Sequence, residues 1–449
     1  MKLWQKDKTA AAAEDVVRFT VGRDKEFDQL LAPFDLMGSI AHVLMLQDVG
    51  LLAAEEAALL VAELRRLLKM TEAGSAEPFS ISADAEDVHS YVEWCLTARL
   101  GDVGKKIHMA RSRNDQVLVD VKLYLRHELE QLVQQVSPFF ELLQQQSERY
   151  KEILLPGYTH LQVAMPSSFG LWFGAYAESL VDDLVTLAAA WDVVNKNPLG
   201  SAAGYGSSFP IDRGLTTSLL GFAAMNYNVV YAQMGRGKAE RIVAQALANI
   251  ADTLARMCMD LCLYLNQNFD FVSLPDTLTT GSSIMPHKKN PDVFELVRGK
   301  CNRIKALPNE IMMMTSNLPS GYHRELQLLK EHLFPAFGEL SDCLRMMQLL
   351  LSQLQVREDL LADEKYSYLF TVEEVNRLVL QGMPFRDAYR EVGASVEAGT
   401  FTADRNVQHT HEGSIGNLCN DRIRLQFQAV LTRFSFDSVG EALQQLAGN

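Results

Sequence analysis

The sequence contains no Cys-x-x-Cys pair. Its six cysteines, at positions 95, 258, 262, 301, 343 and 419, are scattered through 449 residues, which excludes a tight disulfide framework or a zinc-ribbon spacing and fits a reducing compartment. Cys258 and Cys262 stand four apart, on one face of any helix that holds them. They read as small buried apolar residues rather than a metal pair, and no structural metal is expected. Positive charge is also short: 42 Lys and Arg against 56 Asp and Glu leave a formal charge of −14. That balance argues against nonspecific binding to nucleic acid or anionic membrane, while leaving room for a local basic pocket. The opening MKLWQKDKTAAAAEDVV carries charge where a signal peptide needs an apolar core. No stretch reads as the ~18 to 20 apolar residues of a membrane span, so a cytoplasmic location is expected.

Catalytic templates are missing too. "GSAAGYG" at 200–206 has glycines without the order of a phosphate-binding loop or a preceding strand, and neither H-E-x-x-H nor G-x-S-x-G occurs. Any chemistry must run on Ser, His, Lys, Asn and carboxylates, with no cofactor implied. Alternating strand patterns are sparse, and helical periodicity dominates instead. Val117, Val121, Leu125, Leu129, Leu132 and Val136 recur at spacings of three and four on a helix running towards Ser137-Pro138. Similar patterns occupy roughly 237–270, 293–317 and 332–356. A 33-residue helix spans about 50 Å, so helices of this length imply an all-α fold with a long bundle completed by other chains. Breaks at Pro33, Gly74 and Pro78, and later at Gly382-Met383-Pro384, suggest three regions: an N-terminal helical domain over 1–110, a central long-helix bundle over 111–356 and a small helical domain over 357–449.

Four polar stretches interrupt the apolar pattern. In "HMARSRNDQV", 108–117, Ser112 and Asp115 have capping-box spacing. Capping explains those two; Arg111, Arg113 and Asn114 beside them suit a carboxylate receptor at a helix start. "GYTHLQVAMP", 157–166, sets Thr159 and His160 after a Pro-Gly turn, at the start of a helical pattern. His160 is either a structural hydrogen-bonder or an acid/base group. "GSSIMPHKKNPDVFELVRGK" joins a potentially mobile Gly-Ser-Ser lead to Lys288 and Asn290 between two prolines. It reads as a lid over an anion or as a basic surface loop. Glu295 on the following helix, if buried, suits the task of orienting a histidine such as His160. In "PSGYHRELQLLKE", 319–331, Tyr322, Gln327 and Lys330 share a face near a turn, as a polar helix surface or as part of a pocket.

"GSSIMPHKKNP" resembles the G-S-S-x-M-P-x-K-x-N-P signature of the fumarase/aspartase superfamily. With "RSRNDQ", "PGYTHLQ", "LPSGYHRELQLLKE" and "GMPFRDA" in the same order, from about residue 35 to 395, the chain is similar to the argininosuccinate lyase family. The resemblance implies a three-domain homotetramer whose active sites are each built from three subunits, and cleavage of the small molecule argininosuccinate to arginine and fumarate. It makes Ser282 the catalytic serine of a mobile loop and pairs His160 with Glu295 as acid/base groups. Lys288 and Asn290 grip the succinyl carboxylate, and Asn114, Arg113, Thr159, Tyr322, Gln327 and Lys330 bind the rest. Either Ser282 or His160 removes the carbon proton. Relatives acting on aspartate or adenylosuccinate, and a silent crystallin-like protein on the same scaffold, are the alternative readings. The chain departs from the family pattern at Val163 and Met165, at Met109 and Ala110, at Gly235-Arg236-Gly237-Lys238 where S-x-R-D is usual, and at Asp24 where a substrate-contacting serine is usual. These departures spare the elimination machinery and fall at the arginine end.

Overall fold

A computed structural model describes residues 14–407 and 409–448; the opening 1–13, on which the signal-peptide reading bears, lies outside them. The fold is all-α, organised around the 37-residue Arg113–Arg149 helix, about 56 Å long at about 1.5 Å per residue. Its start is fixed locally. Ser112 is extended (φ −129°, ψ 155°) and its hydroxyl accepts from the Asn114 amide, while Asp115 Oδ1 accepts from the Ser112 amide at 2.9 Å. This is the capping box that the sequence spacing suggests. The helix does not stop at Pro138, because Phe139, Phe140 and Leu143 continue the apolar face at full burial. Their packing outweighs the ~3 kcal/mol that an interior proline costs. Pro33 likewise lies inside the Asp24–Asp48 helix rather than breaking it.

Around this axis pack Phe169–Val194, Lys238–Tyr264, Asp292–Met314 and Leu329–Ser352. Tyr124 meets Phe334 at 4.0 Å between ring centroids, and Gly170 lets two segments touch: a Cβ there would lie 2.6 Å from the Lys151 Cα. Asp24–Asp48, Ala54–Met70 and Val88–Leu100 sit at the N-terminal end of the bundle. Contrary to the sequence expectation, Asp24–Asp48 is long and apolar enough to cross a membrane by length and composition; 72% of its apolar window is buried inside the fold. Val375, Ala388 and Val392 form a small separate core between Thr371–Leu380 and Phe385–Glu397. The last helices, Asn420–Leu431 and Phe436–Ala447, return to the main core, where Phe427 stacks on Phe140 at 3.8 Å.

The described residues form four two-stranded ladders. One corrects the sequence reading: Leu154–Thr159 pairs antiparallel with Gln162–Ser168, so Thr159 and His160 do not begin a helix. His160 (φ 53°) and Leu161 (φ 58°) are the two turn residues, the left-handed pair that a tight hairpin with the natural strand twist requires. Another ladder, Thr280 with Asn290 and Gly281 with Lys289, closes the base of the Gly-Ser-Ser loop.

Polar side chains of the long helix also hold the excursion between residues 195 and 226. Asp115 Oδ2 accepts from the Gly200 and Ala202 amides at 3.0 and 2.9 Å. Arg126 donates to Leu220 O, Gly221 O and Asn195 Oδ1. Lys122 donates to Lys196 O and Asn226 Oδ1, both at 2.7 Å. Ser112→Ala should therefore cost about 1 kcal/mol, the usual worth of a cap. Asp115→Ala strands the amides of Ser112, Gly200 and Ala202 at roughly 1–3 kcal/mol each and should cost at least about 3 kcal/mol. Urea unfolding of the two variants checks this; equal losses would mean that Asp115 acts only as a helix cap.

Candidate active site

A cavity of about 210 Å³ opens where the N-terminal helices meet the first turn of Arg113–Arg149 and the segment before Leu329–Ser352. Its walls include Asp24, Asp28, Asp87, His89, Arg113, Asn114, Arg236, Tyr322, Gln327 and Lys330. Residues far apart in sequence meet through an ion cluster. The Lys330 ammonium, 3% exposed, lies 2.5 Å from Asp28 Oδ1 and 2.6 Å from Asp24 Oδ1. Burial opposes the lysine's charge, but Asp28 and Asp24 outweigh it and raise its pKa. At Asp24 burial wins: it pushes the carboxyl up to about 6 against the pull of Lys330.

Arg113 reaches Asp87 Oδ2 at 3.0 Å, Glu86 Oε2 at 3.3 Å and Ser90 Oγ at 2.9 Å. Asp87 is itself the N-cap of Val88–Leu100, accepting from the Ser90 amide at 2.7 Å. Asn114 stands beside Arg113 on the cavity wall. Arg111 does not join them. The capping turn sends its guanidinium inward to Ser39 Oγ at 3.0 Å, among Asp35, Asp115 and Asp120, so the paired-arginine receptor of the sequence reading is divided between cavity and core. Tyr322, Gln327 and Lys330 do share the cavity. The Gln327 amide donates to Thr20 O at 3.1 Å, which brings the N-terminal segment to the cavity's edge.

The other expected residues lie elsewhere on the chain. Thr159 and His160 are exposed at the hairpin tip, Lys288 is exposed, and Ser282 and Asn290 are half-buried in the Gly-Ser-Ser loop. The Ser282 hydroxyl accepts from the Met285 amide at 3.1 Å, shaping that loop. Glu295 is exposed on Asp292–Met314, which corrects the reading of a buried carboxylate set against His160 within one chain. None of these six borders the cavity.

Sequence reasoning missed Asp28, Asp87 and His89. Asp24 and Asp28 stand one helical turn apart in the charged run "DKEFD" that opens their helix, so their shared face was the available signal. Asp87 and His89 lie in "EDVHSYVE", which gives no local sign of a pocket. Beneath them His89 Nδ1 donates to Asp35 Oδ1 at 2.7 Å, with Asp120 Oδ2 at 3.7 Å. The ligand atoms of Asp35, His89 and Asp120 lie within 4.8 Å of one another, a spacing that suits a metal ion. Here the Arg111 and His89 cations already offset the carboxylates. Burial pulls the imidazole down, but Asp35, with Asp120 and Asp87, raises it to about 9.

The chain is a long-helix bundle with a polar, charge-lined cavity at one end, and comparison with known proteins gives its family. A family model described as Lyase matches residues 13–306. Among solved structures, EDDS lyase in complex with formate superposes with a TM-score of 0.76 at 20% identity, covering 98% of this chain and 95% of that one. A fumarate lyase from Mesorhizobium sp. BNC1 does so with a TM-score of 0.65 at 17% identity, covering 98% and 99%. At those identities the likeness establishes the fold. The curated argininosuccinate lyase of Phocaeicola vulgatus is 59% identical over 447 residues, covering 100% of this chain and 99% of its own. That of Thermotoga neapolitana is 39% identical, covering 87% and 97%. The chain belongs to the argininosuccinate lyase family of carbon–nitrogen lyases.

The buried imidazolium makes a prediction. Its folded pKa lies above the unfolded value of about 6.5, so its contribution to stability is complete below that value and is lost as pH rises through about 9. Asp120, pushed up by burial and by Asp35, acts in the same direction. The thermal midpoint should fall across this window, and His89→Gln should flatten the fall. A wild-type midpoint constant over the same range would mean that the imidazole is neutral in the folded protein.

Proposed function

We propose that the protein cleaves argininosuccinate reversibly to arginine and fumarate, by β-elimination through an enediolate-like intermediate. The observation that carries the reading is the meeting of Arg113, Asn114, Tyr322, Gln327 and Lys330 in one cavity, in a chain of this family. These residues take the arginine end. Removing a proton beside a carboxylate builds negative charge, and Lys288 with the loop amides stabilises it, helped by Asn290. Ser282 and the His160–Glu295 pair handle the protons at the carbon and at the leaving nitrogen, with Thr159 holding substrate. No metal or other cofactor takes part. Closure of the Gly-Ser-Ser loop excludes water and strengthens these contacts.

We further propose a cytoplasmic homotetramer, with regions 1–110, 111–356 and 357–449 as its three domains and each site shared between subunits. Two features support sharing. The cavity is smaller than the roughly 300–1,000 Å³ usual for a ligand site, and the hairpin tip and the loop lie away from it, on the outside of the chain. The bundle helices also leave Val185, Met259, Leu296 and Met313 exposed, apolar surface that suits contact with further copies.

Fumarate absorbance with argininosuccinate, aspartate and adenylosuccinate as alternative substrates tests the reaction. Turnover of argininosuccinate alone supports the reading, and release only from another substrate sinks it. Lys288→Met should stay folded and lose turnover about a hundred- to a thousandfold; near-normal turnover would remove Lys288 from charge stabilisation. Co-refolded His160→Asn and Lys288→Met chains test sharing. With His160 and Lys288 drawn from different subunits, random assembly leaves both native in roughly one quarter of sites, so activity should recover towards that fraction. Mixed oligomers no more active than either parent would mean that each chain builds its own site.

A further inference from the structure

The two adjacent lysines of the Gly-Ser-Ser loop are not equivalent. Lys288 is proposed for charge stabilisation, whereas the Lys289 ammonium is engaged in an ion pair with Asp276 Oδ1. The ladder at the base of the loop accounts for the difference. Thr280 pairs with Asn290 and Gly281 with Lys289; cross-strand partners share a face, and successive residues of a strand alternate between faces. Lys289 therefore projects on the face opposite Asn290, the side on which Asp276 meets it. On the other face the Thr280 hydroxyl donates to Asp292 Oδ2, at the start of Asp292–Met314. Asp276 is tied to the body of the chain: it opens the short Asp276–Leu278 helical turn just after the buried Val272 and Leu274, and Val272 pairs with Val356.

The ladder does little to hold its own register. Its residues are exposed or half-buried, none offers an apolar side chain, and one is glycine; short polar strands of this kind specify pairing weakly. The loop of residues 282–288 between the arms can take up a shift. A slip of one residue in the returning arm would turn every side chain to the opposite face, bringing Lys289 to the side that Asn290 now occupies and taking Asn290 away from it. We infer that Asp276 and Lys289 are positioning residues that fix the register of this loop and so present Lys288 and Asn290 to the substrate; this rests on the roles proposed for those two residues. In the slipped register the ammonium of Lys289 points away from Asp276, so the ion pair exists only in the productive one. An exposed pair is weak, yet it has only to choose between two arrangements one residue apart. Lys289 thus serves the reaction through Lys288 and Asn290, without a contact of its own to the reacting atoms.

Steady-state fumarate release by the full-length oligomer tests the inference. Asp276→Asn and Lys289→Met should each lower kcat/KM for argininosuccinate by about fivefold, the most that an exposed ion pair shifts between two arrangements. Exchanging the charges, Asp276→Lys together with Lys289→Asp, should restore most of the activity that either reversal loses alone. Salt supplies a readout that a merely structural role would not move. Exposed charges are screened, so the advantage of the wild type over Asp276→Asn should shrink towards unity between about 0.05 M and about 1 M sodium chloride. Normal kcat/KM in both single variants, a charge exchange no better than either reversal alone, or a deficit that salt leaves unmoved overturns the inference. Full turnover by Lys288→Met, or a wild type that releases no fumarate from argininosuccinate, overturns the underlying roles instead, so the two failures are told apart.

Discussion

The first turns of Arg113–Arg149 carry the constraint from which the rest of the arrangement follows: buried charge on a helix that must also supply the bundle's apolar stripe. Asp115 accepts three backbone amides, from the cap itself and from residues 200 and 202. Asp120 lies behind His89, Lys122 and Arg126 hold the 195–226 excursion, and Arg113 ties the start of Val88–Leu100. Each group is expensive to bury alone. Together they fix the helix's rotation about its axis, because turning it would leave several charges unpartnered at once. Asn114 is aimed into the cavity by the same lock.

Rigid and adaptable parts of the candidate machinery are thereby separated. Apart from the exposed Arg324, the cavity is made of buried or half-buried side chains, several held by ion pairs and caps. The hairpin tip with Thr159 and His160, and the loop with Ser282 and Lys288, project from the same chain with few interior contacts. Such a division suits an elimination, in which one end of the substrate needs a fixed receptor while the reacting end needs water excluded only after binding. In one copy of the chain neither the hairpin tip nor the loop borders the cavity, which is the arrangement that the proposed sharing of sites between copies requires.

Much of this was legible in the sequence, and the exceptions have physical causes. Ser112 and Asp115 were legible because a capping box is local, and the long helices because apolar spacing persists over many turns. Pro33 and Pro138 misled, since a proline's local cost was weighed without the buried aromatic and aliphatic residues that follow it. The hairpin at His160 was hidden because two left-handed non-glycine residues make its turn, where asparagine or glycine is the usual signal. Arg111 and Arg113 look equivalent two residues apart; one precedes the cap and the other lies in the first turn, so they diverge into core and cavity. Lys330 and Asp28 lie 302 positions apart, beyond any local pattern.

The departures from the family pattern gain meaning from this geometry. Asp24 stands where a serine is usual, and Arg236 falls within the altered Gly235-Arg236-Gly237-Lys238 stretch, more than 200 residues away. In the fold both line the same cavity, and Arg236 draws the Asp24 carboxyl towards its charged form. A carboxylate placed there alone would add a negative charge beside Asp28 and weaken the hold on Lys330. Arg236, on the same wall, eases that cost without pairing with Asp24, because its guanidinium is committed to Leu326 O and Glu240. What the two changes alter is where the charge sits: a negative centre by Asp24 and a positive one nearer Leu326 and Glu240. The departures therefore redistribute charge along one wall of the cavity without touching the residues proposed for the elimination.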